Sequence, residues 1–387
     1  MNNQKIPHKV VHIITDLDDG GAEAVLYRLT SAPSSWEHHV ISLTDAGKYG
    51  NLLTQKRIQI YCLRINPSCP NPFSLYRLWR LIRRLQPDAI QTWMYHADLL
   101  GGLCAKFAGI QNIFWGIRNS TLDWQYSKKT TILITRLCAW LSKWIPLKIV
   151  CCARKAAHVH QAIGYEQSKC VVIPNGYNIQ EFYPTPKARN SLRQAWALPD
   201  EQPLIGSVGR FHAQKDYPTL IEALSRLKQK GLPFHCVLVG TNLDEENHQL
   251  VSWLEEKDIR SHVTLLGRRN DVAVVMNALD LHILPSAFGE AFPNVLAEAM
   301  ACGTPCVTTD VGDAAFLVGE TGWIVPPRSP DQLADAIEAA LGEKLNAPEQ
   351  WQERQTDCRQ RICDHFSLET MAAAYHQLWQ EALEGET

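Results

Sequence analysis

Short β-branched runs alternate with helical patterns along most of this chain, and that alternation restricts its fold more than any other feature. Runs at 9–15, 40–43, 58–62, 89–92, 113–116, 149–152 and 171–173 form one series. Runs at 204–208, 235–239, 263–266, 281–284 and 305–308 form a second. Between them apolar residues recur at helical spacing, for example over 22–30, 75–85 and 219–230. Strand–helix alternation gives parallel sheets covered on both faces. Two series predict two Rossmann-like α/β domains, and 387 residues is long for one core. The expected domains are 1–182 and 187–365, joined through the turn-rich stretch 181–186 that follows Pro174-Asn175-Gly176. Residues 366–387 are expected to form a C-terminal helix that can pack back on the first domain.

The net charge of −2 hides an asymmetry. Residues 1–186 carry 21 Lys and Arg against 11 Asp and Glu, a net +10. The remainder carries 17 against 29, a net −12. Halves of opposite sign suit different partners. The twelve cysteines are scattered, with no Cys-x-x-Cys pair, which predicts reduced and mostly buried thiols rather than a disulfide framework or a zinc site. No signal peptide is expected, since the first apolar run, 10–14, is short. No window of about 20 residues lacks charge, so no bilayer-spanning helix is expected.

In open parallel sheets ligands sit at the carboxyl ends of strands, beside helix N-termini. Three segments fall there. The first strand runs into Asp16-Leu17-Asp18-Asp19-Gly20-Gly21-Ala22-Glu23, whose paired glycines allow close backbone approach to a ligand or form a plain turn. Gly-x-Gly-x-x-Gly, the dinucleotide fingerprint, is absent. In the second series a strand ends at Gly209-Arg210, with Lys215 five residues on. Two cations beside a helix start suit a diphosphate, because Arg forks two oxygens and Lys adds a point charge. The third segment runs from Pro285 to Pro305. Pro293 is expected in the first helical turn, with Phe292 or a neighbour as cap and the amides of Phe292, Asn294 and Val295 forming an anion site. Glu290 lies before that helix and Glu298 on its second turn, both among apolar residues. A carboxylate can bind two vicinal sugar hydroxyls, or it can serve as a cap or salt-bridge partner.

The stretch Gly289-Glu290-Ala291-Phe292-Pro293-Asn294-Val295-Leu296, continuing through Glu298 to Gly303, resembles the Glu-seven-residues-Glu signature of retaining glycosyltransferase family 4, which has the GT-B fold. Gly20-Gly21-Ala22-Glu23, Ile173-Pro174-Asn175-Gly176, Val208 through Asp216 and Leu265 through Val272 resemble further family segments in the same order. The resemblance implies two Rossmann-like domains facing each other across a cleft. It implies that Arg210 and Lys215 hold the diphosphate of a nucleotide-sugar beside Gly209, that Glu298 binds the ribose, and that Glu290 with the amides of Phe292 and Asn294 holds the donor sugar. Arg268 would flank the base and Gly21 would sit under the diphosphate from the other domain. No metal or other cofactor is expected, since Arg, Lys and a helix terminus can replace a metal electrostatically. Many members carry a His after the strand at 113–116; here Arg118 and Asn119 stand in that region. This variation resembles a branch active in bacterial surface-polysaccharide and lipopolysaccharide assembly. His96, after the strand at 89–92, is a further acceptor or cleft candidate, or a structural histidine.

The implied activity is sugar transfer, most simply from a UDP-sugar, to a glycan or polyprenyl-diphosphate-linked acceptor. A nucleotide-sugar epimerase of similar architecture and a non-catalytic sugar-nucleotide-binding protein are the alternatives. Basic patterns with apolar residues between the cations, at 76–85 and at 132–145 with Trp140, Lys143 and Trp144, suit an anionic membrane surface or a solvated basic face. The expected location is cytoplasmic, including the inner face of the membrane. No binding motif accompanies the charge, so nucleic acid is not an expected partner.

Overall fold

The computed structural model describes residues 7–18, 20–67, 70–120, 129–196 and 202–385; Asp19 of the glycine loop lies outside them. The chain divides into one unit of residues 1–176 with 368–387 and a second of residues 177–367. Each is a parallel sheet with helices on both sides, a Rossmann-like domain.

The first sheet contains β1 (Lys9–Ile14), β2 (Glu37–Ser42), β3 (Gln59–Cys62), β4 (Ala89–Trp93), β5 (Ile113–Ile117), β6 (Lys148–Cys151) and β7 (Cys170–Val172), in the order β3-β2-β1-β4-β5-β6-β7. Its middle strands are apolar on both faces because both are covered. Val10, Val11, Ile13 and Ile14 of β1 are all buried, as are Phe114, Trp115 and Ile117 of β5. Local signals set the helices between strands. Asn71 caps the Pro72–Leu85 helix, its side chain accepting from the Ser74 amide at 2.8 Å, and Pro72 occupies the first position, where no amide donor is needed. Gln86 ends that helix in the left-handed region, φ 45°.

The second sheet contains β8 (Leu204–Val208), β9 (His235–Val239), β10 (Val263–Leu265), β11 (Leu281–Leu284), β12 (Cys306–Thr309) and β13 (Trp323–Val325), in the order β10-β9-β8-β11-β12-β13. Its core joins Ile205, Leu220, Leu224, Leu238, Leu281, Ile283, Val307 and Ile337. Asp280, just before β11, is buried and anchors that strand: it accepts from the Leu204 amide at 2.7 Å and pairs with Arg189 at 2.6 Å and Lys344 at 3.3 Å. β13 has no counterpart in the sequence reading, because a three-residue strand with exposed Ile324 shows no periodicity.

Two expected boundaries move. Residues 177–182 belong to the second unit rather than the first, because the Tyr177 amide bonds to the Phe366 carbonyl at 3.0 Å and the Tyr177 hydroxyl donates to Asn294 Oδ1 at 2.7 Å. Phe366 and Ser367 also stay with the second unit, so its end shifts from 365 to 367. The helix Leu368–Glu384 packs on the first unit, where Met371, Ala372, Tyr375, Leu378 and Trp379 share one buried cluster with Val10, Ile14, Leu26, Trp36 and Trp93. The eleven described cysteines are free thiols.

Candidate active site

In both sheets the strand order reverses once, between β1 and β4 and between β8 and β11. Loops diverge at such a point and leave a crevice at the strands' carboxyl ends. In the second unit the loops after β8 and β11 carry Gly209, Arg210, Lys215 and Glu290.

Those two loops are tied together. The Ala287 amide donates to the Gln214 carbonyl at 2.9 Å. Lys215 Nζ lies 2.6 Å from Glu290 Oε1, and Ser286 Oγ donates to the same oxygen at 2.7 Å. Lys215 and Glu290 side chains are 14% and 9% exposed, so each charge depends on the other. Arg210 is exposed, with Gln214 Oε1 at 3.5 Å and no carboxylate partner among the described residues. Cationic groups are therefore held at the crevice, one of them open to an incoming anion.

Close backbone approach shapes the same place. A Cβ at Gly240, φ +147°, would lie 1.8 Å from the Gly209 carbonyl oxygen. One at Gly312, φ +66°, would lie 2.1 Å from the Glu290 carbonyl oxygen. Only glycine fits at either position, and each lets a neighbouring loop set the site's backbone. Both were missed in the sequence, although each follows the end of a strand. Ser286 and Gln214 were missed as well.

The Asn294–Ala301 helix begins one residue later than expected. Pro293 is its N-cap rather than its first residue, with φ −74° and ψ 106°, an extended conformation. Asn294 and Val295 thus provide the first-turn amides, where the helix dipole favours an anion. The Phe292 side chain is buried against Tyr177 and Phe366, with ring centroids at 6.4 and 5.4 Å. Only its backbone can serve a ligand. Glu298 is half-buried on the second turn, about 6 Å along the axis from Asn294. Arg268 is exposed after β10, beside Gly267, whose carbonyl accepts from the Gly240 amide at 2.8 Å. Beneath the Lys215 loop, His282 in β11 is fully buried with neither ring nitrogen hydrogen-bonded. Burial first and the Lys215 charge second lower its pKa to about 3, so the ring is neutral. A lone histidine in an apolar strand gave no sign of this position beside the site.

In the first unit, Gly20 caps the Gly21–Ser31 helix, and a Cβ there would meet Glu23 Oε2 at 2.1 Å. Gly21 has open space around it. The atom met at Gly20 is the mobile end of the Glu23 side chain, so neither position requires glycine sterically, and the helix's own Glu23 lies against its N-terminus. His96 is half-buried in the first turn of the Tyr95–Phe107 helix, after β4. Asn119 is half-buried after β5. Arg118 has structural partners: it donates to Asn175 Oδ1 at 2.7 Å and to the Tyr375 hydroxyl, with its guanidinium 4.8 Å from the Trp93 ring centroid. It clamps the C-terminal helix to the first sheet, a structural role beside its reading as an acceptor or cleft candidate. Among the described residues no cluster of three or more His, Cys, Asp or Glu is arranged to hold a metal ion.

Comparison with known proteins follows this geometry. Residues 19–181 match the family model "Glycosyltransferase Family 4", and residues 188–357 match "Glycosyl transferases group 1". A relative from Bacillus subtilis, named EpsF, is 30% identical over 150 residues, covering 38% of this chain and 37% of that protein. The Escherichia coli UDP-Gal:alpha-D-GlcNAc-diphosphoundecaprenol alpha-1,3-galactosyltransferase is 22% identical over 307 residues, 76% of each chain. The match with EpsF thus spans well under two thirds of that relative's length. Among solved structures, Anabaena HepE in complex with UDP superposes with a TM-score of 0.85 at 20% identity, over 96% of this chain and 100% of that one.

Proposed function

We infer that this chain, which belongs to glycosyltransferase family 4 and has the GT-B fold, transfers a sugar from a nucleotide-sugar to a glycan or lipid-linked saccharide in the assembly of bacterial cell-surface polysaccharide or lipopolysaccharide. One observation carries the reading: the β8 and β11 loops hold Lys215 and Glu290 2.6 Å apart, with Arg210 exposed on the first of those loops. A diphosphate entering the crevice takes up the charge of Arg210 and Lys215, and the first-turn amides of Asn294 and Val295 add a helix terminus. Glu290, beside them, turns to the hydroxyls of the donor sugar, and Glu298 to the ribose. Uridine diphosphate is the favoured carrier, in keeping with the UDP in the HepE complex and the UDP-galactose in the E. coli relative's name. That relative acts, by its name, on a diphosphoundecaprenol-linked sugar, which supports a polyprenyl-linked acceptor here.

The reaction is written as front-side displacement with retention and without metal. The acceptor oxygen bonds to the anomeric carbon as the bond from that carbon to the diphosphate oxygen breaks, and the acceptor's proton passes to the departing diphosphate. Fixed cations stabilise the charge that develops there. Incubation with labelled UDP-sugars and a polyprenyl-diphosphate-linked saccharide tests the reading. Label in a glycoside is expected; label only in an altered free nucleotide-sugar would assign an epimerase instead.

A lipid-linked acceptor requires reach to a membrane surface. No helix among the described residues is long and apolar enough to cross one. Seven of the twelve exposed large apolar residues in the described structure, Phe73, Tyr76, Phe107, Leu133, Leu137, Trp140 and Trp144, lie on or just after three helices that pack side by side, Pro72–Leu85, Tyr95–Phe107 and Lys129–Leu141. Residues 46–87 and 124–165 contain no Asp or Glu. Arg77, Arg80 and Arg84 line one cavity beside Tyr61. Aromatic groups among cations fit the inner leaflet of an anionic bilayer. The protein is expected to sediment with anionic vesicles at low salt and not with neutral ones. The double substitution Arg77→Glu and Arg80→Glu should weaken that partitioning roughly 30-fold or more, each lost cation being worth about 1 kcal/mol at such a surface. Equal sedimentation of both proteins removes this face from the account.

A further inference from the structure

Three histidines from separated parts of the sequence meet at the docking face of the Leu368–Glu384 helix. His12 on β1 is fully buried, His38 on β2 is buried, and His376 lies on the helix itself. The donors and acceptors around them permit one arrangement of protons. An indole N–H can only donate, and Trp93 Nε1 lies 3.2 Å from His12 Nδ1. His12 Nδ1 is therefore the bare nitrogen, and Nε2 carries the hydrogen. That Nε2 lies 2.9 Å from His38 Nδ1, which must accept. His38 then carries its hydrogen on Nε2, 3.0 Å from Ser34 Oγ. Ser34 Oγ also accepts from the Trp36 amide at 2.9 Å. With both lone pairs engaged, the Ser34 hydroxyl hydrogen goes to its remaining neighbour, His376 Nε2 at 3.1 Å.

We propose that Trp93, His12, His38, Ser34 and His376 form a one-way hydrogen-bond relay that fixes three neutral histidine tautomers and makes the docking of the C-terminal helix acid-sensitive. A proton added to His12 Nδ1 would face the Trp93 N–H, two donors with no acceptor between them. A proton added to His38 Nδ1 would face His12 Nε2–H in the same way. Trp379 covers the relay, with its ring 5.8 Å from His12, 6.1 Å from His38, 5.7 Å from His376 and 5.4 Å from Trp36.

The charged groups on the neighbouring elements do not favour a cation here. On β2, His39 is paired with Glu37 at 2.7 Å and faces the Tyr61 hydroxyl of β3 at 3.5 Å. At the start of β1, His8 stands against Asp88 at 3.8 Å and Trp36 at 5.3 Å. The Arg118 guanidinium already lies 4.8 Å from the Trp93 ring centroid, bonded to Tyr375 of the docked helix. Burial first, then the neighbouring histidines, holds His12 well below the ordinary imidazole range and His38 at about 3; burial lowers His376 as well.

The direction of the pH effect follows. Below the ordinary imidazole pKa of 6.5 the rehydrated rings take up protons that the docked rings refuse. Docking is therefore tightest above pH 6.5 and weakens as pH falls from there toward about 3.

Long-range 15N–1H correlation on the full-length protein at pH 7.5 reads the tautomers directly. His12 and His38 are expected with hydrogen on Nε2, and His376 with hydrogen on Nδ1. Ser34→Ala, a change at an exposed residue, should release His376 from the Nδ1–H form while His12 and His38 keep theirs. Amide exchange of the C-terminal helix, corrected for intrinsic rate, should accelerate roughly 30-fold between pH 7.5 and pH 5 for each depressed histidine that opening rehydrates. Any other tautomer set, or exchange that does not change over this interval, overturns the relay.

Discussion

Lys215→Ala is expected to lower turnover by roughly 100-fold or more, the usual scale for losing one fixed electrostatic group at a developing charge. The side chain is held where both roles meet. It lies 2.6 Å from Glu290 Oε1 and is largely shielded from solvent, so its charge is little screened. In the proposed reaction, removing it would take a cation from the departing diphosphate, and it breaks the ion pair with Glu290, which stays buried beside Ser286. Breaking a buried pair from one side also destabilises, by about 3–5 kcal/mol in comparable cases, so the thermal midpoint should fall together with the rate. Glu290→Ala should lower turnover similarly. Glu290→Gln separates the effects, since its amide oxygen can still accept from Ser286 and Lys215 while the negative charge is gone. Near-wild-type rates in Lys215→Ala and Glu290→Ala would remove both residues from the mechanism.

The second large effect is structural. Trp379→Ala is expected to cost about 3–5 kcal/mol, the range for truncating a buried tryptophan or phenylalanine. Trp379 is fully buried and stacks edge-on against His12, Trp36 and His38, with Tyr375 at 5.6 Å. The surrounding rings belong to β1, β2 and the loop before β2, so a void there cannot close by moving one element. Urea unfolding followed by near-ultraviolet dichroism measures the loss. A change below about 1 kcal/mol would mean that the C-terminal helix is peripheral to the first unit's core.

What the sequence disclosed, and what it did not, follows from the range of each interaction. Strand and helix identity depends on neighbours a few residues apart, so 204–208, 235–239 and 281–284 were placed with their observed ends. The candidate loops could be picked out because ligands of parallel sheets bind at the strands' carboxyl ends. The pairing of Lys215 with Glu290 was not, since the partners are 75 residues apart and each looked like a ligand group on its own. The partners of Arg118 were equally hidden: Asn175 and Tyr375 lie 57 and 257 residues away. Gly240 and Gly312 are required by backbones of other loops, which no local pattern records. The histidine relay joins residues from four places in the chain and leaves no periodic trace. The helix that completes it was expected, while the aromatic and histidine rings it packs against were not.

The central claim is that a diphosphate leaving group is held by Arg210, Lys215 and a helix end while an acceptor oxygen attacks from the same face. The anomeric configuration of the product, read from the one-bond carbon–hydrogen coupling after transfer from an α-linked UDP-sugar, tests this most directly. The account predicts an α-linked product; a β-linked product would contradict it.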